Sequence, residues 1–369
     1  MSDSPKWQIG WGYTSACDMR CPFCYSRTVR QHPQETPLDL AMAFVRNNAA
    51  SIASINYGTG ECALSKNWFT LVRSIRSQYP EIRQALTTNG SVYRQVASGA
   101  MDGADLFSAI DEIDVSLDFA DASKHNAMRG KEDAYTGALG TLALCATHRR
   151  IPTIVTVAFP NTLTRENLDG LFALAGEYGA FVRLNILRPV EGVAFAPPEY
   201  EELLDALQYI TKRYSVVSLC DPLFGALFGA PVQYGDSAGV TSLRILPDGS
   251  ITPSTYLITP EWRAERLSES LDLTQLAQLP PFHSIQSASL PEECRNCPLG
   301  EHCAGGAIDR RILYYRSLSE RDPYCPSRHG FRAEPASGAV RPFRGALRPT
   351  VHDGYLPTMI FSPTEGVEP

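Results

Sequence analysis

Cys17, Cys21 and Cys24 stand in the order CxxxCxxC within the stretch Cys17-Asp18-Met19-Arg20-Cys21-Pro22-Phe23-Cys24. Three thiolates can hold three corners of a cubane iron–sulfur cluster. The fourth iron then lacks a protein ligand and is open to a small molecule, as the open position of a catalytic metal site is. Spacing alone leaves a zinc site or a disulfide pair as alternatives, although zinc usually takes four ligands in more regular pairs. A second set, Cys294, Cys297, Cys303 and Cys325, reads CxxC, five residues, Cys, and a distant fourth Cys. Four thiolates saturate a cubane or a zinc ion and leave no open corner. His302 lies within this set as an alternative ligand.

The 369 residues suggest more than one domain but not many. Hydrophobic residues make up 44%, enough for a full core, and the net charge of −7 does not favour a general nucleic-acid surface. No apolar run approaches bilayer length, and the polar start Met1-Ser2-Asp3-Ser4-Pro5-Lys6 does not read as a signal peptide. A cytoplasmic location is therefore expected. In that reducing compartment ten cysteines point to metal or cluster ligation.

The elements that position the first cysteines alternate. Trp7–Tyr13 reads as a strand running into the cysteine loop. Further strands are predicted at 52–57, 83–88, 112–117, 153–159 and 181–187. Helices are predicted at 37–50, 68–79, 92–100, 133–148, 165–178 and 200–214. Six strand–helix alternations mean a parallel sheet with covering helices, too few to close an eight-stranded barrel. From Leu219 the rhythm changes, and Thr241–Thr252 reads as a hairpin around Pro247-Asp248-Gly249. Three regions are expected: 1–215, the alternating domain; 216–330, carrying the second cysteine set; and 331–369, a flexible tail. From Arg328 to Arg348, Arg328, Arg332, Arg341, Arg344 and Arg348 stand against Glu334 alone, among Pro335, Pro342 and Pro349.

The CxxxCxxC loop, with Phe23 before its third cysteine, resembles the radical SAM superfamily. The resemblance implies a [4Fe–4S] cluster whose open iron is chelated by S-adenosylmethionine. Electron transfer then yields a 5′-deoxyadenosyl radical that abstracts hydrogen from the substrate. It also implies a partial (β/α)6 TIM-like barrel, an α/β fold, in preference to a doubly wound open sheet. Gly58-Thr59-Gly60-Glu61 resembles the family's GGE turn, with Thr59 in place of a glycine. Glycines allow close backbone approach, and a carboxylate suits the ammonium of the cofactor's methionine part. Asn89, in Thr88-Asn89-Gly90, and Ser116 with Asp118 match the third and fourth strand ends. Ser116 and Asp118 are placed for the ribose or the cofactor's polar end, or else as a turn residue and a helix cap. His125-Asn126 and Arg129-Gly130 fit the pattern and could order the loop. Arg188 is a candidate partner for the cofactor's carboxylate.

The C-terminal region resembles the SPASM extension of the same superfamily, which carries auxiliary [4Fe–4S] clusters. Two positions where that pattern has cysteine hold Ser254 and Ala307. The resemblance therefore implies a reduced, twitch-like form with one auxiliary cluster on Cys294, Cys297, Cys303 and Cys325. The aspartate base of sulfatase-maturing relatives is replaced by Thr255, and nearby Tyr256 would need a lowered pKa to serve. Of the other cysteines, Cys145 reads as core. Cys62, just after the GTGE turn, and Cys220 are candidate hydrogen-atom donors, the alternative being ordinary buried thiols.

The expected function is radical modification of a ribosomally made peptide: a crosslink, an oxidation or an epimerisation. The alternative is a radical SAM dehydrogenase or rearrangement enzyme on a small natural-product intermediate. No peptide-recognition domain is expected ahead of the strand at Trp7, so a separate carrier would present the peptide. An electron donor such as flavodoxin or ferredoxin is expected as a partner, with no nucleic acid and no membrane.

Overall fold

Along the first two-thirds of the chain the apolar period switches repeatedly between two and 3.6 residues, which builds strand and helix in turn. The computed structural model describes residues 6–229, 235–335, 340–346, 351–352 and 354–364. Six parallel strands come first: β1 (Trp7–Trp11), β2 (Ile52–Tyr57), β3 (Arg83–Thr88), β4 (Glu112–Ser116), β5 (Thr153–Ala158) and β6 (Phe181–Ile186). They alternate with helices α1 (Leu38–Asn48), α2 (Lys66–Gln78), α3 (Ser91–Ala97), α4 (Gly103–Ala109), α5 (Ala122–Arg129), α6 (Ala134–Thr147), α7 (Arg165–Tyr178) and α8 (Tyr200–Arg213). Helices α4 and α5 are two short elements that the sequence reading left as loops.

The expected break at residue 215 does not divide the sheet. Strands β7 (Ser215–Leu219), β8 (Ser242–Ile245), β9 (Ile251–Thr252) and β10 (Met359–Ser362) extend it to ten, in the order β7-β10-β6-β5-β4-β3-β2-β1-β8-β9. Strand β8 pairs parallel to β1, and β9 turns back antiparallel to it. The sheet is thus an open, partial barrel. Helices α9 (Pro222–Leu227) and α10 (Pro280–Gln286) come next, then α11 (Gly300–Cys303), which carries Cys303 of the second cysteine set, and α12 (Ile308–Tyr315), which lies between Cys303 and Cys325.

The expected flexible tail is corrected by β10. It is antiparallel to both β6 and β7 and fully buried along Met359, Ile360 and Phe361. Ahead of it, His352 and Tyr355 are buried inside the barrel. The basic and proline residues masked a four-residue strand whose partners lie far away in sequence. Arg348 and Pro349 lie outside the described residues.

Each strand of the barrel has two faces. Trp11 packs edge-on against Phe44 of α1, and Tyr57 against Trp68 of α2. The inward face is polar or small, with Gly10, Asn56, Thr87, Asp114, Ser116, Arg183, Asn185 and Arg244. Parallel strands covered on both faces ordinarily read as continuous apolar runs. A polar lining marks this interior as a site.

Candidate active site

The loop after β1 carries the three cysteines, and the backbone around it fixes its course. Glu61 N donates to Ala16 O (2.7 Å), and Arg20 N donates to Arg129 O (3.0 Å). Gly60 has φ +72°, and a Cβ there would lie 2.2 Å from Thr14 O, so only glycine lets the GTGE turn press on the loop. Asp18 pins the loop to α3. Its carboxylate accepts from Asn89 Nδ2 (3.0 Å), Ser91 Oγ (2.9 Å) and Arg94 Nη2 (2.7 Å), and it pairs with Lys131 (3.0 Å). Burial opposes this charge, but those donors outweigh it and hold the carboxyl down to about 2.

Cys17, Cys21 and Cys24 are half-buried and all face one cleft, which encloses about 1010 Å³ with its mouth included. Each sulfur meets a donor: Asn89 Nδ2 to Cys17 Sγ at 3.6 Å, Arg129 Nη1 to Cys21 Sγ at 3.9 Å, and Arg30 Nη2 to Cys24 Sγ at 3.4 Å. Donors aimed at sulfur suit thiolates ligating iron. Burial pushes Cys17 up to about 11 and raises Cys21, so iron ligation is what would deprotonate them. Among the described residues no three Cys, His, Asp or Glu side chains converge on a point that would hold a single ion. Thiols placed around a space and faced by donors fit a cubane better than one zinc ion.

Gly58, Thr59, Gly60, Glu61, Asn89, Ser116, Arg188 and Tyr256 share this cleft, as their sequence positions predict. Several do other work there. Glu61 accepts from Thr88 Oγ1 (2.9 Å) and Asn89 N (2.7 Å), so it braces the end of β3. Burial pushes its carboxyl up to about 7 against those bonds. Arg188 pairs with Asp309 at 3.1 Å and donates to Ile186 O, tying the sixth strand end to α12. Tyr256 stands edge-on to Tyr25, with the Arg188 guanidinium over its ring. Burial pushes its phenol up to about 12, which corrects the expectation of a base.

Three expected residues fall outside the cleft. Asp118 is fully buried and holds Arg129 (2.6 Å) from behind, while also accepting from Val157 N (3.1 Å). It supports Arg129, which faces both Cys21 and the Phe23 ring. Cys62 is fully buried in the main core; the short helical turn after Glu61 carries it away from the cofactor side. Cys220 follows β7, its N–H donating to Thr358 O and its Sγ 3.1 Å from Ser218 Oγ. Neither thiol is placed to donate hydrogen to a radical in the cleft. Cys145 is core, as read.

The sequence reading missed Arg30, Arg183, Asn185 and Arg244. The signal was present: period-two alternation in Phe181-Val182-Arg183-Leu184-Asn185-Ile186 sends every second residue inward.

Cys294, Cys297, Cys303 and Cys325 line one small cavity, with Asp322 and Arg321. Arg310 anchors it, fully buried and paired with both Asp221 and Asp322. His302 is exposed and does not line that cavity.

Residues 11–175 match the model of the radical SAM superfamily. The mycofactocin maturase MftC of Mycolicibacterium smegmatis is 23% identical over 339 residues, 86% of this chain and 82% of that one. The sporulation killing factor maturation protein SkfB of Bacillus subtilis is 24% identical over 199 residues, 52% of this chain and 46% of that one. The crystal structure of Streptococcus suis SuiB bound to S-adenosylmethionine shares the fold, with a TM-score of 0.63 at 16% identity, over 87% of this chain and 77% of that chain. No helix among the described residues is long and apolar enough to cross a membrane. In its cysteine loop, partial barrel and C-terminal cysteines this chain is similar to radical SAM enzymes, and its residues 11–175 carry the domain of that superfamily.

Proposed function

We propose that this chain is a peptide maturase that modifies a ribosomally synthesised peptide by radical chemistry. The observation that carries this is the reach of the likeness to MftC. It spans 86% of this chain and so extends past the radical SAM domain into the C-terminal region. The fold supports it: SuiB has also been crystallised bound to its precursor peptide SuiA, and that form has a TM-score of 0.62 to this chain.

A [4Fe–4S] cluster on Cys17, Cys21 and Cys24, with S-adenosylmethionine on its open iron, supplies the hydrogen-abstracting radical when bound. The chain's own residues prepare the place. Asn89, Arg129 and Arg30 face the sulfurs, the GTGE backbone offers close approach, and Ser116 faces the cleft. Phe23, Val155, Val157 and Leu187 give the cleft an apolar wall that excludes water. Cys294, Cys297, Cys303 and Cys325 hold one auxiliary cluster, since Ser254 and Ala307 leave no ligands for a second. A flavodoxin or ferredoxin supplies electrons. With Cys62 and Cys220 outside the cleft, oxidation or crosslinking fits better than an epimerisation that needs a thiol hydrogen donor.

The test uses the anaerobically reconstituted full chain, a reductant, S-adenosylmethionine and a short peptide encoded beside its gene. The expected result is a loss of hydrogen mass from the peptide together with 5′-deoxyadenosine. 5′-Deoxyadenosine without any change in the peptide would contradict the peptide substrate.

A further inference from the structure

A buried cation needs an anion close by, because leaving one charge alone away from water is costly. Four buried arginines of this chain obey that rule. Arg129, Arg183 and Arg188 each have an aspartate oxygen within 3.1 Å, and Arg310 has two aspartates. Arg311, near the second cysteine set, is held by the carbonyls of Leu318 and Glu320 instead, and Arg244 departs furthest from the rule. It is 1% exposed, and among the described residues its hydrogen-bond partners are neutral hydroxyls. Nη1 donates to Tyr355 Oη (3.2 Å), and Nη2 donates to Tyr25 Oη (3.2 Å) and to Thr59 Oγ1, while Nε has no partner.

Its position says where the missing anion belongs. Arg244 lies opposite Gly10 in the β1–β8 register, one strand from the root of the cysteine loop. A Cβ on Gly10 would fall 1.6 Å from Tyr355 Oη and 2.5 Å from Arg244 Nη1, so the strand is kept bare to admit both groups. Tyr25 directly follows Cys24, and Thr59 sits in the turn pressed on that loop; both border the cleft. The guanidinium therefore touches Tyr25, the residue after Cys24, and Thr59, in the turn pressed on the cysteine loop. The Cys62 thiol near the guanidinium stays neutral, because burial and the Glu61 charge hold it up to about 12.

We infer that Arg244 is the fixed counter-charge of the cluster held by Cys17, Cys21 and Cys24, and that it raises the reduction potential of that cluster. The inference rests on the reading of those cysteines as cluster ligands. A cubane on three thiolates carries net negative charge, and reduction adds one more unit. A buried cation nearby stabilises the reduced form more than the oxidised one, and low local polarity strengthens the effect. Arg129 and Arg30 touch sulfur directly, but Arg129 is already balanced by Asp118. Arg30 also has no acidic partner among the described residues, but it is only half-buried; Arg244 is fully buried and keeps its full charge in a drier setting.

The experiment is a redox titration of the anaerobically reconstituted full chain, followed by electron paramagnetic resonance without S-adenosylmethionine. Arg244→Gln should move the one-electron equilibrium of this cluster about tenfold toward the oxidised form, about 59 mV lower in potential. Arg244→Lys, which keeps the charge, should return most of that shift. Arg244→His gives an independent reading, because its cluster potential should fall as pH rises through the imidazole range, relative to the parent. Should Arg244→Gln fail to load iron, the lysine and histidine variants decide. Loaded variants whose potentials match the parent at every pH overturn the inference. A parent chain that binds no cluster at the three cysteines refutes the underlying reading instead.

Discussion

At the N-terminal cysteines three thiols hang from one loop over a polar barrel, half-buried beside a wide cleft. At the C-terminal cysteines four thiols from separate turns close on a small cavity, with Cys294 and Cys303 buried. The supports differ in the same sense. The first loop is held by hydrogen bonds to Asp18 and by the GTGE backbone. The second is locked by Arg310 between Asp221, the cap of α9, and Asp322, three residues before Cys325. An open site must leave room for a ligand to arrive, so its buried pairs, Asp118–Arg129 and Arg188–Asp309, stand behind or at the rim of the cleft. A closed site has only to persist, so buried ion pairs can be built into it. The difference teaches that ligand number alone did not separate these sites; what faces the sulfurs did.

The comparison can be broken most severely at the first site. Cys24→Ala should reduce 5′-deoxyadenosine formation to background and leave the C-terminal iron in place; both are read from product and metal analysis of one sample. Next in size, Arg310→Met should leave the buried carboxylates of Asp221 and Asp322 without their cation. A buried pair broken on one side costs about 3–5 kcal/mol. Thermal unfolding should fall accordingly, with iron lost first from the C-terminal cysteines. A variant as stable as the parent would show that the ion network does not hold that site.

Cys294→Ala combined with Cys297→Ala sharpens the contrast. Iron should drop from roughly eight to roughly four per chain, the count of two cubanes and of one. Zinc in place of the missing iron, or iron unchanged, would contradict two clusters.

The smallest effect lies at the barrel's other end. His352 contacts Glu112 (3.3 Å) and Asp114 (3.0 Å), with Arg183 facing the same aspartate. Burial disfavours its charge, but Asp114 and Glu112 prevail and raise its pKa above the usual value. A raised folded-state pKa gives stability that is full below the unfolded value and lost as pH rises through the folded one. Amides of Tyr355 to Ser362 should therefore exchange faster as pH climbs past that point, beyond the intrinsic rise. In His352→Gln that extra dependence should vanish.

The sequence makes the helical scaffold legible where local chemistry agrees with the fold. Arg165–Tyr178 begins at Thr164, whose side chain accepts from Asn167 N, and ends at Gly179 with φ +62°. The three cysteines and the GTGE turn are legible because short spacing brings them together in any fold. Asp118 was misplaced because its partner Arg129 comes from the next helix, a contact that spacing does not encode. Cys62 was misplaced because it opens a turn of 3₁₀ helix and is buried in the main core. Strand β10 escaped because four apolar residues among prolines carry almost no periodic signal, and their register is set by β6 and β7. The polar interior needed all strands in place before Arg183 and Arg244 could be seen to face inward.

The account's central claim is one open site and one closed site in the same chain. Electron paramagnetic resonance of the reduced, fully loaded protein, with and without S-adenosylmethionine, tests it directly. Two cubane signals are predicted, of which S-adenosylmethionine perturbs one, and that one is absent in Cys24→Ala. Signals that S-adenosylmethionine leaves untouched, or a perturbed signal that survives Cys24→Ala, would contradict it.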